Sequence, residues 1–343
     1  MPIVTIKDVA KAASVSIATV SRVFNNAEVV EEATRVRVQE ASQRLNYIPN
    51  AVGRSLSTRR TDAIGLLLPD LFGEFFSEVL RGSDQTAQQS DYHLVVSSSH
   101  NGRAEIRAAL RMMRGRVDGL VIMSPHLDAE TLNRNLPQSL PVVLLNCYVD
   151  TDRFDSLAVD NYGGAYAMTQ HLLSHGHKHI AILKGTDRNF DAAERLRGFK
   201  MAVANHGSGG ACYEINGNFS EASGYDSVKE ILALTPRPTA VFASNDSMAI
   251  GALSALRDSG LQVPKDIALA GFDDIPIASY MTPSLTTVHV GIHGLGVHAI
   301  ETVLHAFKNK NEHHKQQVLL STTLSLRGSC GCDQSNNVNQ RSA

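Results

Sequence analysis

Residues 5–25, TIKDVAKAASVSIATVSRVFN, describe two short helices around a tight turn. Thr5 can cap the first helix, and Asp8 stands three residues on, as in a capping box. Val9 and Ala10 point inward at helical spacing until the turn Ala13-Ser14-Val15. Ser16 can accept from the free amides of a second helix, Ile17 to Phe24, whose Val20 and Val23 face back onto Val9 and Ala10. A small residue such as Ala10 lets the two axes cross closely. That is the steric demand of a helix-turn-helix, whose second helix lies in the major groove of DNA. Any helical hairpin would share this apolar side. It would not require Ser16, Thr19, Ser21, Arg22 and Asn25 to crowd the outer face, where they suit phosphates and base edges. Ile17 and Ala18, which neither donate nor accept, suit thymine methyls or groove shape, and Arg22 suits a guanine.

Downstream, Val29 and Val30 precede a third helix, roughly Glu32 to Asn46. Val38, Ala41 and Leu45 form its buried stripe and close a three-helix miniature domain. Tyr47-Ile48-Pro49 ends that helix, because the residue before proline is pushed out of the α region. Asn50 can cap a further short segment, Ala51 to Ser57, which taken alone fits a short helix and a plain solvated linker equally.

From Ala63 the pattern changes to short apolar runs alternating with helical stretches. AIGLLLP, HLVVSSS, GLVIMS, VVLLN and SLAVD form one series, with helices near 75–90, 105–114 and 129–136. HIAILKG, TAVFASN and IALAGFDD form a second, with helices near 161–175, 195–206, 220–233 and 247–259. Continuous apolar strands joined by helices imply parallel sheets covered on both faces, and two series imply two lobes. Ligands of open α/β sheets bind beyond the carboxyl ends of the strands. That rule selects Asp70, Phe75 and Phe76 after the first strand and Ser124 after the third. It also selects Arg195 opening a helix in ERLRGF, Phe219 in GNFSEASGY, Asn245 and Asp246 after TAVFAS, and Asp273 and Asp274 after IALAGF.

The run at 5–25, followed by LNYIPNAVGRSL at 45–56, resembles the N-terminus of the lac repressor/galactose repressor (LacI/GalR) family of bacterial transcription regulators, and the likeness extends from about Thr5 to Gly328. It implies an all-α helix-turn-helix domain joined to a two-lobed, periplasmic-binding-protein-like α/β effector domain with parallel sheets. The implied division is 1–48 for DNA binding, 49–61 for a hinge helix and 62–330 for effector binding and dimerisation, with a polar tail at 331–343. Lobe one covers about 62–160 and 289–320, and lobe two about 161–288 and 321–330, the chain crossing near 160, 288 and 321. The hinge helix would order on operator DNA, with Leu56 as the wedge that opens a base step in the minor groove. Gly53 stands where alanine is usual in the family, costing about 0.8–1 kcal/mol of helix propensity. The expected DNA contacts are Thr5, Ser16, Ile17, Ala18, Thr19, Ser21, Arg22, Asn25, Asn50 and Leu56. Family counterparts of Phe75, Arg195, Phe219 and Asp273 contact the effector, and the expected set adds Asp70, Ser124 and Asn245. Core packing and helix capping account for Phe76 and Asp246 at least as well.

Aromatics against a ring face, with Arg and Asp forking onto hydroxyls, suit a sugar. A nucleobase between Phe75 and Phe219 is the alternative. The purine-binding branch often carries a basic residue six before the helix arginine, and Asn189 there favours the sugar.

Composition agrees with this division. Residues 1–60 carry nine Lys/Arg against five Asp/Glu, a net of +4, whereas the remainder carries 23 against 29, a net of −6. Positive charge therefore sits where phosphates would be met. No signal-peptide pattern opens the chain and no apolar run reaches a membrane span, so a cytoplasmic location is expected. Cys147, Cys212, Cys330 and Cys332 are expected to be reduced thiols, and Cys330-Gly-Cys332 lacks the second pair of a structural zinc site. His171 and His175 are four apart, but a solvated turn explains them, and no metal or cofactor is expected. Without a phosphate loop or nucleophile elbow an α/β enzyme is disfavoured. A sugar-binding transport component without a DNA role is disfavoured by the N-terminal module. The tail DQSNNVNQRSA has no heptads, so a tetramerising zipper is not expected. The resulting expectation is a non-enzymatic repressor, a homodimer on a pseudo-palindromic operator, answering to a small-molecule effector.

Overall fold

The computed structural model describes residues 4–25, 29–48, 60–100, 102–125, 127–149, 152–187, 189–207, 209–309 and 312–331. The expectations for Gly53, the hinge helix with Asn50 and Leu56, Cys332 and the tail lie outside them. The chain divides into two units, Met1–Ala63 with Gly115–Asp118, and Ile64–Arg114 with Gly119–Ala343.

In the first unit, the Asp8 carboxylate accepts from both the amide and the hydroxyl of Thr5, at 2.9 and 2.7 Å, and these bonds hold its pKa below the ordinary value. This starts helix α1 (Ile6–Ala13). Ser14, in the left-handed region at φ 54°, ends α1, and the Val15 amide returns to the Ala10 carbonyl at 3.0 Å. The Ser16 hydroxyl accepts from the Thr19 amide at 3.0 Å and starts α2 (Ile17–Asn25). Helix α3 (Glu32–Arg44) ends two residues earlier than expected, leaving Leu45 as its cap. Val9, Ala10, Ala13, Val20, Val23, Val38 and Ala41 form one core. The Phe24 and Tyr47 rings pack at 5.9 Å beside it.

Two six-stranded sheets build the second unit. One comprises β1 (Ala63–Leu68), β2 (His93–Ser98), β3 (Gly119–Ile122), β4 (Val142–Leu145), β5 (Asp155–Val159) and β11 (Gln317–Leu320), in the order β11-β5-β4-β3-β1-β2. The other comprises β6 (Ile180–Leu183), β7 (Cys212–Ile215), β8 (Ala240–Ala243), β9 (Ala268–Asp273), β10 (Thr286–His289) and β12 (Thr323–Ser325), in the order β12-β10-β9-β8-β6-β7. Every residue of β1 and of β9 is buried, as strands covered on both faces require. Strands β11-β5-β4-β3-β1 and β10-β9-β8-β6-β7 pair in parallel, with one correction to the expectation of parallel sheets: β12 runs antiparallel to β10. It follows β11 directly, with no crossover helix to reverse the chain.

Helices α4 (Glu74–Gln89), α5 (Arg103–Met113), α6 (Ala129–Asn135), α7 (Asn161–Ser174), α8 (Phe190–His206), α9 (Glu221–Ala233), α10 (Asp246–Asp258) and α11 (Ile292–Lys308) complete the alternation. Close approach of α4 and α11 needs glycine on both. A Cβ at Gly82 would lie 2.1 Å from the His293 carbonyl oxygen, and one at Gly296 would lie 2.2 Å from that of Val79. Helix α8 starts five residues before the expected position at 195. Its cap is Asn189, whose side chain accepts from the Ala192 amide at 2.9 Å, so Arg195 sits in the second turn rather than opening the helix.

The chain passes between sheets after Val159, after His289 and between Leu320 and Thr323. Leu320 pairs with Val159, and Thr323 pairs with His289. The Asp160 amide also donates to the Leu320 carbonyl at 2.9 Å. The third passage is thus hydrogen-bonded to the first on one side and to the second on the other. Asp274 laces this region further, accepting from His289 Nδ1 (2.8 Å), Ser325 Oγ (2.7 Å) and Arg327 Nη2 (2.6 Å). Burial opposes its ionisation, yet these bonds hold Asp274 down to about 2, and the same contact raises His289.

Cys147 and Cys212 are free thiols, whereas Cys330 is disulfide-bonded, against the expectation of four reduced cysteines. Among the described residues no helix is long and apolar enough to cross a membrane, and no group of three or more His, Cys, Asp or Glu is arranged to hold a metal. The His171 and His175 rings lie 4.4 Å apart at a tilt of 50°, and burial with the neighbouring imidazoles pushes His171 down to about 4.

Candidate functional site

On α2 the groups expected at DNA share one outer surface. Ser16, Ile17, Ala18, Arg22 and Asn25 are exposed, and Thr19 and Ser21 are half-buried. Their side chains are pre-ordered: the Ser16 and Thr19 hydroxyls meet at 2.9 Å, and Asn25 Nδ2 donates to Ser21 Oγ at 3.1 Å. Ile17 is 45 % exposed although it opens an otherwise amphipathic helix, which leaves an apolar contact at the position that would meet base edges. The Thr5 hydroxyl and amide both already donate to Asp8, so meeting a phosphate would require one of these bonds to be exchanged.

In the second unit, Arg195 and Asp273 converge as expected, although one rises from α8 and the other ends β9. Both are buried, 5 % exposed, with Arg195 Nη2 at 3.1 Å from Asp273 Oδ1. The approach lies off the hydrogen-bond axis, so Oδ1 keeps an unfilled acceptor site. The guanidinium is otherwise held firmly. Its Nε donates to Asn161 Oδ1 at 2.7 Å, Nη1 donates to the Ser244 carbonyl, and its carbon lies 3.8 Å from the Phe272 ring centroid. Burial pushes Asp273 up to about 6 against the pull of Arg195, and the charge of Asp191 adds to the rise. The hydroxyls of Ser124 and Ser244 are buried and likewise without a hydrogen-bond partner.

A cavity of about 320 Å³ lies off this pair: Ser124, Asn146 and Tyr148 from the first lobe face Asn189, Phe190 and Asp191 from the second, and neither Arg195 nor Asp273 lines it. Tyr148 stacks on Phe190 at 3.6 Å and donates its hydroxyl to Asp191 at 3.1 Å. Asn161 Nδ2 donates to the same carboxylate at 2.8 Å, which links Asp191 through Asn161 to Arg195. Burial raises Asp191, with Arg195 opposing. Asn146, Phe219, Asp273 and Asp274 all have left-handed backbone, at φ 47, 71, 112 and 60°. Such strain gathers where a site over-determines its residues.

The remaining expected residues play scaffold parts in this arrangement. Asn245 caps α10 through the Met248 amide at 3.0 Å and donates to the Phe219 carbonyl at 2.9 Å. The Phe219 ring fills the space a Cβ at Gly185 would take. Asp70 accepts from the Leu71 and Phe72 amides, closing its own turn. Phe75 packs edge-on against Phe76 at 5.4 Å, both beside the core. Asp246 is a buried structural acid, bonded to Thr287 Oγ1 and the Ile275 amide. Tyr148, Asn161, Phe190 and Asp191 were missed. The strand-end rule would have reached Tyr148 and Asn161 had it been applied to β4 and β5.

Residues 5–50 match the family described as bacterial regulatory proteins, lacI family, and residues 169–330 match the periplasmic binding protein-like domain. The HTH-type transcriptional repressor PurR of Aliivibrio fischeri (strain MJ11) is 38% identical over 92% of this chain and 94% of its own length. The chain belongs to the lacI family of bacterial regulatory proteins. Another relative of this lacI-family chain is the ribose operon repressor of Escherichia coli (strain K12), 36% identical over 95% of this chain and 99% of the relative. The crystal structure of the lac repressor dimer bound to operator and the anti-inducer ONPF superposes with a TM-score of 0.83. It is 30% identical and covers 96% of this chain and 99% of that one. The lacI-family chain is a DNA-binding transcription repressor with a small-molecule effector.

Proposed function

We propose that this repressor is a cytoplasmic homodimer that reads a pseudo-palindromic operator through α2 and releases or engages it in response to a small sugar, controlling carbohydrate uptake or use. The division at 1–48, 49–61 and 62–330 belongs to the same reading, as do the DNA contacts along α2 and at Leu56.

The observation that carries the sugar assignment is the Arg195–Asp273 pair, with an open acceptor on Asp273 and an unpartnered Ser244 hydroxyl beside it, linked through Asn161 and Asp191 to the cavity that the unpartnered Ser124 hydroxyl lines. Buried polar groups left without partners are costly unless a ligand supplies them, and neighbouring ring hydroxyls both donate and accept. The 320 Å³ volume is at the low end of ligand pockets, which suits one ring rather than two. The ribose operon repressor among the relatives agrees. Phe219, shelved on Gly185, is the feature that would instead serve a nucleobase.

Self-association is supported by Leu71 and Phe72 before α4 and by Ile277 and Tyr280, all exposed. The Ile277 amide donates to Glu74 at 3.0 Å, which brings the two segments together across the lobes. The effector acts by binding one lobe arrangement better than the other.

The test is a DNA-shift assay with a duplex that the protein selects from a random pool, titrated with D-ribose, D-glucose, D-galactose, hypoxanthine and adenine. A shift in operator affinity with a sugar is expected. A response to a base and to none of the sugars would overturn the sugar assignment.

A further inference from the structure

Helix α5 and the turn after it read RAEIRAALRMMRGR, five arginines against one glutamate, in a stretch of chain whose net charge is otherwise negative. Arg103, Arg107 and Arg111 recur every four residues. At about 100° per residue they fall within about 80° of arc, and Arg114 follows as the C-cap. All five, Arg116 included, are exposed. Arg103 is 3.8 Å from Asp128, and Arg107 adds its field to that carboxylate. No carboxylate among the described residues pairs with Arg107, Arg111, Arg114 or Arg116. Like charges at four-residue spacing destabilise a helix. Attraction of cations to a helix C-terminus explains Arg111 and Arg114 in part, but it works against Arg103, which opens α5. Asp128 offsets this repulsion at Arg103 and Arg107, and among the described residues no carboxylate pairs with Arg111, Arg114 or Arg116 to offset it there.

Topology shows where this ridge leads. Strands β1 and β3 are parallel, with Ile64 opposite Gly119, so residues 114–118 and 60–63 share the amino end of the sheet. There the Asp118 carboxylate accepts from the Thr61 amide (2.9 and 3.0 Å) and from the Asp62 amide (3.0 Å). The effector cavity lies at the opposite, carboxyl end. Residues 115–118, which continue the basic end of α5 and include Arg116, thus belong with residues 60–63 to the same unit as the helix-turn-helix.

We infer that Arg111, Arg114 and Arg116 form a second, sequence-independent contact with DNA phosphates, beyond the one made by the helix-turn-helix. Arginine rather than lysine at all five positions suits a phosphate, which its planar fork meets with two donors. Such contacts position and strengthen binding without adding base preference.

The experiment is fluorescence anisotropy on the full chain at several salt concentrations. It uses a selected operator duplex in two lengths, one limited to the selected site and one extended by about ten base pairs on each flank. Wild type is compared with the triple variant Arg111→Ala, Arg114→Ala, Arg116→Ala. Each lost phosphate contact lowers the slope of log K against log salt by about 0.9. The slope on the long duplex should therefore fall by about two to three, with affinity down at least tenfold at moderate salt. The preferred sequence should be unchanged, and the slope on the short duplex should change less. The melting temperature should hold or rise, because repulsion is relieved, which separates the effect from misfolding. Equal slopes for wild type and variant on the long duplex overturn the inference. So does a deficit that is the same on both lengths. Loss of affinity for an acidic polypeptide such as poly-glutamate, with DNA slopes unchanged, would assign the ridge to a protein partner and overturn it as well.

Discussion

Arg195 is held on three sides by Asn161, the Ser244 carbonyl and Asp273, and on a fourth by the Phe272 ring. Its position is set before any hydroxyl reaches it, and such preorganisation keeps the ordering cost out of the binding step. Breaking a buried pair by deletion costs about 3–5 kcal/mol, so Asp273→Asn is a cleaner probe than alanine. Asp273→Asn should keep operator binding and lose at least tenfold in effector affinity, since charged hydrogen bonds are worth about 1.5–3 kcal/mol. An unchanged effector midpoint in the DNA-shift assay would remove Asp273 from the site. Asp246 gives a second test at this scale. Burial, with Asp273 nearby, raises its pKa well above the ordinary value. A carboxyl that keeps its proton longer in the fold gives stability that is complete below its unfolded pKa and lost as pH rises through the folded one. Asp246→Asn retains a partner for Thr287 and for the Ile275 amide without that penalty. Its melting temperature relative to wild type should climb as pH goes from 5 to 8, and a flat difference would show that Asp246 is ionised in the fold throughout.

Among the elements, α2 separates two roles that Ser16 combines. The hydroxyl caps the helix through the Thr19 amide and also lies on the exposed surface offered to DNA. Ser16→Ala should cost about 1 kcal/mol of local stability, seen as faster hydrogen exchange of the α2 amides, together with weaker operator binding. Ser16→Asp restores the cap and repels phosphate, so exchange should return to wild type while operator affinity stays low. Recovery of both would mean that Ser16 only caps. The three-helix unit was legible because apolar spacing and turn chemistry agree over residues 5–25. The buried strands β1, β3, β4, β6, β8 and β9 were legible as continuous apolar runs. Strands β7, β10, β11 and β12 were not, because three of them are short and partly exposed, and the Thr286-Thr287 pair breaks up the fourth. The start of α8 is hidden in the sequence because Asn189 suits a ligand position as well as the cap it forms. Arg195 and Asp273 could be read from strand ends. The Tyr148–Phe190 stack could not, since it depends on how two lobes face each other, which no local pattern records.

Across the whole molecule, the lacing at Asp274 should leave a pH signature. Asp274 is depressed to about 2, so its contribution is present above the unfolded value of 3.8 and lost as pH falls through about 2. His289 is raised above 6.5, so its contribution is complete below that value and lost as pH rises through the folded one. The lacing is therefore strongest between about pH 4 and 6.5. Since His289 is half exposed, solvent screening keeps its share small. His289→Gln should flatten part of the decline in melting temperature above pH 6.5 and leave the acid limb alone; an identical alkaline limb would exclude it. The hinge has a mechanical consequence. Its three passages are joined edge to edge, Val159 with Leu320 and Thr323 with His289, so they behave as one ribbon and not as three separate cords. Such a ribbon bends across its face and twists about its length but resists shear, so a ligand is expected to change how far the cleft is shut, with some rotation, more than to slide one lobe past the other.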